Sequence, residues 1–485
     1  MRTQNLKLAR KWHLLLIWPA LLSVLIYVLS SMAHPLSGWV GPEKQRFKAP
    51  GFQVDAKVVN SIASIIKHNQ LTSAQVAKLV PFENEALFQV TQSSGQNLTR
   101  RYFSTHNYKE LPKQDSKQAI WLAQQYVMGS PKIKFVEYIT KFNETYPKNN
   151  RLLPVYKVHY QTPGNLVATV HTESLALVSL NNDSKRLMKR IFRMFHTFDW
   201  LNGFESARLI LIATLLSLIL VMSLTGFYFL LVMKRKRVIK KIERRWHQKL
   251  AYIIVLPLFL FSISGSYHLL QSSVYIPKDS LTLNNELDLI LWTNEVVTSD
   301  HINSLSFSDV SLVQGSGPLY RLQKVKESRQ SARQVYFLDA NTGQSLKYSD
   351  QGLAHTNLTQ QLSLTFDQIS QSVWLYSFEP GYSFKNKRLP VMKIELLDEQ
   401  NHHVFIDPIT QTVVTSNDAV MRLEGYSFSY LHMWGWLKPL LGHDGRDVIF
   451  TVLLMLTLIL SLLGLQVHLA AKRSQKVPVG VLSKA

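Results

Sequence analysis

Four uninterrupted apolar runs constrain this chain more than any other feature: Leu14–Ala33, Leu209–Met233, Leu250–Leu270 and Val448–Ala470. Each matches the roughly 20 helical residues needed to cross a hydrocarbon core. Lipid offers no partner for backbone N–H and C=O groups, so each run is expected as a helix. The first run lacks the small-residue cleavage site of a secretory signal and is expected to be retained. Two long polar stretches, 35–207 and 271–447, lie between the runs. A hydrophobic content of 46% over 485 residues suits a few spans joined to large water-soluble parts.

The net charge of +22 is explained by where the cations sit. Arg2, Lys7, Arg10 and Lys11 precede the first run; Lys234–Arg245 (KRKRVIKKIERR) joins the second to the third; Lys472, Arg473 and Lys476 follow the fourth. The positive-inside rule puts all three on the cytoplasmic side. Anionic lipid accounts for the basic loop, so no nucleic-acid partner is implied. The expected location is a bacterial inner membrane, multi-pass, with both termini cytoplasmic and the large domains periplasmic. The expected organisation is a cytoplasmic N-terminus with the first span (1–34), a periplasmic region (35–207), a second span (208–233), a basic loop (234–249), a third span (250–270), a second periplasmic region (271–447), a fourth span (448–470) and a cytoplasmic tail (471–485).

The chain also reads as two tandem copies. Arg10-Lys-Trp-His13 returns as Arg244-Arg-Trp-His247, and His34 returns as His268, both 234 positions later. Leu153-Pro154-Val155 returns as Leu389-Pro390-Val391, and His196-x-x-x-Trp200 as His432-x-x-x-Trp436, both 236 later; Gly226 returns as Gly464 at 238. Each half is then helix, extracytoplasmic domain, helix, and a site built from both halves would sit near the axis relating them. In the polar stretches, 116–182 reads as a helix (SKQAIWLAQQYV) followed by alternating strands (LPVYKVHY, NLVATVHT). Segment 366–418 reads in the same order, with FDQISQSVWLYS in the helix position. Each half is thus expected to carry a small α+β domain. Segment 273–365 reads as an additional β-rich insertion, with a hairpin turning at Asn341-Thr-Gly343.

With no cysteine, disulfides, thiolate metal sites and covalent haem attachment are excluded, and the 16 histidines are left as the metal-binding side chains. His13, His34, His247 and His268 stand at span ends in both copies, where an ionisable residue is costly. His13 and His34 are 21 residues apart, about 31 Å along a helix and within about 60° around it. Facing pairs of such histidines on opposed spans are what non-covalent, six-coordinate haem b requires. About two haems, one near each surface, would form an electron path. His196 and His432, in aromatic segments before spans two and four, compete for the outer site or serve a third. Arg10 and Arg244, one turn before the inner histidines, are candidates for pairing propionates. Thr225-Gly226 and Ser264-Gly265 place small residues in the spans, for close packing or a flat cofactor. His443 and His468 have no counterpart, and His402 and His403 are expected to face solvent. Trp12, Trp18, Trp200, Trp246, Trp434 and Trp436 form an expected interfacial belt.

These pieces together resemble the PepSY-associated transmembrane family of iron-regulated inner-membrane proteins. Trp12-His13 and Trp246-His247, Pro154 and Pro390, His196 and His432, and Gly226 and Gly464 carry the resemblance over nearly the whole chain. The resemblance implies four transmembrane helices plus α+β periplasmic PepSY-like domains. It implies haem on His13, His196, His247 and His432, with His34 and His268 a subgroup feature that span one departs from by lacking the glycine matching Gly265. It further implies an oxidoreductase that reduces a ferric siderophore or other Fe(III) chelate in the periplasm for iron acquisition. No flavin or nicotinamide motif is present, so a separate cytoplasmic reductant or quinol is the expected donor. Two other classes stay open: a membrane-anchored PepSY binding or inhibitory module without redox activity, and a small iron-chelate transporter. The absence of a carboxylate within the spans counts against cation transport.

Overall fold

The computed structural model describes residues 2–475 apart from 96, 233–240, 276–280, 282, 284–285, 299–301, 303–304 and 326–332. The basic stretch 234–240 and Lys476 therefore lie outside the described residues. The α-helices are α1 (Arg2–Leu15), α2 (Ile17–Trp39), α3 (Ala56–His68), α4 (Gln114–Tyr126), α5 (Asp183–Phe195), α6 (Glu205–Val232), α7 (Ile242–Val274), α8 (Asp350–Leu362), α9 (Ala419–Tyr426) and α10 (Lys438–Gln475). Contacts divide the chain into two compact units: Met1–Gly41 with Asp183–Ile276 and Arg422–Ala485, and Pro42–Asn182 with Pro277–Met421.

The first unit is helical. Four of its helices, α2, α6, α7 and the last segment through α10, are long and apolar enough to cross a membrane. They form a closed ring in which α2 touches α6 and α10, and α7 touches the same two. Val24, Val28, Ile219, Phe450 and Leu454 fill its middle, with Tyr27, Leu258 and Phe261 packed against them. The helices overrun the apolar runs. The first continues past His34 to Trp39, and the third begins at Ile242. Helix continuity breaks at Leu16, between α1 and α2. Pro19 explains the break: it has no N–H for the carbonyl of Leu15, and its ring crowds that turn. A second kink lies at Gly442, whose φ of 71° favours glycine.

The second unit is mixed α/β. Seven strands run in the order 345–346, 335–339, 318–324, 305–314, 76–82, 85–94, 97–104, and strand 52–54 adds to 305–314. At the centre, strand 76–82 from the first half of the chain pairs antiparallel with 305–314 from the second, Leu79 opposite Val310 and Lys78 opposite Ser311. Helix α3, capped by Asp55 on the Val58 amide, buries Val59, Ile62, Ile65 and Ile66 in the same core as Trp292, Val310 and Tyr320. The hairpin at Asn341–Gly343 forms, with the Asp339 carboxylate accepting from the Asn341 and Thr342 amides.

Two four-stranded antiparallel sheets complete the unit: 133–139, 155–160, 167–171, 176–181, and 369–375, 391–396, 403–407, 412–417. Each carries one helix. Leu122 of α4 packs with Val158, Ala168 and Val170. Leu358 of α8 packs with Ile394, Val404 and Ile406. Every one of these core positions recurs 236 residues on. Two expectations are corrected. FDQISQSVWLYS is not the helix of the second domain; its Ile369–Leu375 portion is an edge strand, and the helix is α8 upstream. Segment 273–365 is not an insertion without counterpart, because its strands 305–339 mirror 76–104 across the central pairing.

Buried charge ties these parts together. Arg388 bridges Glu173 of the first half (2.6 Å) and Asp407 of the second (2.5 Å). Arg321, fully buried, grips Asp350 through Nε and Nη2 at 2.6 and 2.9 Å.

Candidate functional site

Four of the histidines singled out by sequence share one local chemistry in the helical unit. His13 Nδ1 lies 2.9 Å from Thr225 Oγ1. The Thr225 hydroxyl already donates to the Val221 and Met222 carbonyls, so its oxygen accepts and His13 carries its proton on Nδ1. His247 Nδ1 lies 3.0 Å from the Leu460 carbonyl, which can only accept. His196 Nδ1 sits 3.2 Å from Ser30 Oγ, whose proton goes to the Tyr27 carbonyl; Ser31 Oγ lies at 3.3 Å. His432 Nδ1 sits 3.3 Å from Ser264 Oγ, whose proton goes to the Leu260 and Phe261 carbonyls. The acceptors beside His13, His247 and His432 favour the Nδ1–H tautomer, which presents the Nε2 lone pair to a metal, while the Ser31 hydroxyl can donate to His196 Nδ1 as well as accept from it.

The histidines of the two halves approach one another. The rings of His196 and His432 are 6.4 Å apart, inclined at 71°. Metal–imidazole bonds of about 2 Å on either side of one ion, with a ring radius of about 1.2 Å, put two trans rings about 6.4 Å apart. His13 and His247 lie close enough to interact electrostatically. The settings match position by position. Phe192 stacks on His196 and Phe428 on His432, at 4.5 and 5.1 Å. Tyr27 and Phe261 meet the same rings edge-on. The polypeptide supports the outer ring of the second half with a turn of π-helix, Ser427–His432, a distortion often found where a helix aims a functional side chain. Glycines leave space beside two of the rings. A Cβ on Gly464 would stand 2.9 Å from His247 Cε1, and one on Gly265 would stand 3.5 Å from His432 Cε1. Gly226 does not repeat the role of Gly464; it faces Val255.

His34 and His268 flank the His196–His432 pair: His34 is within electrostatic range of His196, and His268 is within range of His432 and shares Phe428 with it. His34 and His268 are exposed and are not brought together. His34 neighbours Arg446, Asp447 and Lys438; His268 pairs with Glu424 and packs on Phe428. The rings that come together are those of His196 and His432, whose segments pack against α2 and α7. Arg10 and Arg244 are exposed, each at the solvent side of its helix. His443 is also exposed, and His468 is half-buried. His402 is corrected from solvent-facing to buried, at 3% exposure, held by Asp398.

No protein-family model matches the chain, and no curated protein matches it.

Among the described residues no three His, Asp or Glu side chains form a group that could hold a metal ion. Two facing imidazoles with glycines and aromatic rings beside them are residues that would hold a flat macrocycle such as haem, which would supply the remaining metal ligands itself. Sequence reasoning marked Thr225 and Ser264 only as small residues; their role as acceptors for histidine N–H groups comes from the helix pairing.

Proposed function

We propose that this chain is a multi-pass inner-membrane protein of the PepSY-associated transmembrane kind, built by tandem duplication, that carries haem b and passes electrons to Fe(III) chelates on the periplasmic side. The observation that supports the reading is the set of four imidazoles, matched between halves, each with Nδ1 engaged by a fixed polar partner, with the rings of His196 and His432 6.4 Å apart.

His196 and His432 would hold the outer haem, and His13 and His247 the inner one. A haem so held supplies one-electron ferric/ferrous chemistry. The protein's part is to fix both imidazoles before binding, so that little reorganisation accompanies an electron's arrival. Bonds to Thr225, Ser264 and Leu460 keep the Nδ1–H of His13, His432 and His247 polarised and those ligands basic. Seventeen residues separate His13 from Ser30 and His247 from Ser264. That is about 25 Å along a helix, shorter than the His13–His34 span. Tyr27 and Phe261 line the inward side of the outer pair. An electron from a cytoplasmic reductant or quinol would enter at the inner site and leave at the outer one, converting the Fe(III) chelate to Fe(II) and releasing the chelator. The basic flanks of the spans support the inner, cytoplasmic assignment of the termini.

The test is a visible spectrum of detergent-purified protein, oxidised and dithionite-reduced, with haem counted as the pyridine haemochrome. Reduced b-type bands at about two haems per chain are expected. His247→Ala should remove the inner component and His432→Ala the outer one. A colourless, folded protein made with ample haem would overturn the proposal and leave a binding module in its place.

A further inference from the structure

Two arginines occupy corresponding places beside the outer histidines. Arg208 Nη1 donates to the carbonyl of Thr197, one residue after His196, at 3.3 Å. Arg446 Nη1 donates to the carbonyl of Met433, one residue after His432, at 3.4 Å. Both thus brace the turn that follows a candidate ligand. The residue after each braced carbonyl, Phe198 and Trp434, takes the same left-handed conformation, φ 51°.

Beyond that shared role they differ. Arg208 is complete: Nε donates to Glu205 Oε2 at 3.0 Å, and Nη2 pairs with the other oxygen. Arg446 is 4% exposed and forms an ion pair with Asp447 through Nη2, at 2.9 Å, although that Asp447 oxygen makes no well-formed hydrogen bond among the described residues. Its Nε is buried with no acceptor among the described residues, and so is Trp434 Nε1, one residue beyond the carbonyl that Arg446 holds. A buried donor left without an acceptor costs about 1–3 kcal/mol, so each of these two needs an explanation. Arg446 also lies within electrostatic range of His34, which lies within range of His196. Trp434 packs on Phe261, whose ring meets His432 edge-on, and Arg446 holds the carbonyl next to His432, so both donors belong to the surroundings of the His432 ring.

We propose that Arg446 and Trp434 form a carboxylate-binding edge of the outer site and take a propionate of the haem held by His196 and His432. The inference rests on the haem reading above. A guanidinium and an indole N–H are both donors only, and together they fit an anion rather than a metal or a neutral ring. The exposed Arg10 and Arg244 lack this setting. Arg208, already satisfied by Glu205, braces its turn and does no more.

The experiment compares Arg446→Gln, Arg446→Lys, Trp434→Phe and Arg208→Gln in the full chain, purified in detergent. Two quantities are read: the midpoint potential of the component missing from His432→Ala, and the rate of haem loss to excess apomyoglobin. Arg446→Gln should lower that potential, because a cation beside the porphyrin favours the reduced form. It should also speed haem loss about ten-fold or more, as removal of one charge-assisted hydrogen bond implies. Trp434→Phe should speed loss without the full shift in potential, and Arg446→Lys should keep most of the potential. Arg208→Gln should change neither. Equal effects from Arg446→Gln and Arg208→Gln would reduce Arg446 to a turn brace and overturn the proposal, as would unchanged haem in Arg446→Gln. If Arg446→Gln fails to fold, Arg446→Lys and Trp434→Phe decide: wild-type haem loss in Trp434→Phe overturns the edge. Wild-type protein without any haem bands would instead overturn the underlying reading.

Discussion

Arg388 shows how much of the α/β unit hangs on single side chains. It is buried with two carboxylates, one from each half of the chain. Burial alone would raise the pKa of Glu173, but Arg388, Lys78 and His171 hold it well below its ordinary 4.5. The folded state thus binds this proton less tightly than the unfolded state. The stabilisation is complete above about pH 4.5 and is lost as pH falls through the depressed folded value. Asp309 behaves oppositely: burial raises its carboxyl to about 6 against Lys78 and Arg321. Its contribution is present below its unfolded pKa of 3.8 and declines as pH rises toward 6. Arg388→Gln strands two buried anions and should cost about 3–5 kcal/mol. Hydrogen exchange of strand 391–396 in the full chain reads this out. Glu173→Gln should remove the part of the acid loss in protection that falls below pH 4.5; a wild-type acid limb in that variant would locate the loss elsewhere.

At the scale of elements, the close approach of α10 to the His247 ring is the sharpest constraint. A methyl group on Gly464 would collide with Cε1, whereas one on Gly265 would meet His432 at ordinary contact distance. Gly464→Ala should therefore lose or distort the inner spectral component, while Gly265→Ala should keep the outer one. Equal tolerance would mean that the α7–α10 pair opens freely. Much of this was legible in sequence, because histidine, tryptophan and proline at fixed spacing outlast drift in the apolar residues around them. Partner atoms were not legible. Leu460 serves His247 through its backbone carbonyl, which no side-chain pattern reveals. The strand Ile369–Leu375 was misread as helix because Ile369, Val373 and Trp374 suit either period in so short a stretch. The meander 76–104 went unnoticed because strand 76–82 is buried on both faces and shows no alternation. Arg208 and Arg446 escaped because a cation near a span end ordinarily marks topology alone.

At the scale of the whole molecule, the four spans return the chain to one side twice, so both stretches of the α/β unit are expected on the same side. The absence of cysteine makes this easy to test. Single cysteines at the exposed positions Asn107 and Lys347 should react with an impermeant maleimide added outside spheroplasts, and ones at Arg245 and Lys472 should react only after lysis. Any other pattern contradicts the orientation expected from the basic flanks. The pairing of strand 76–82 with 305–314 also bears on assembly. A half-length chain would end its meander on an open edge whose natural complement is a second copy of itself. The two halves made as separate polypeptides should therefore find each other through this pairing and restore what neither can assemble alone.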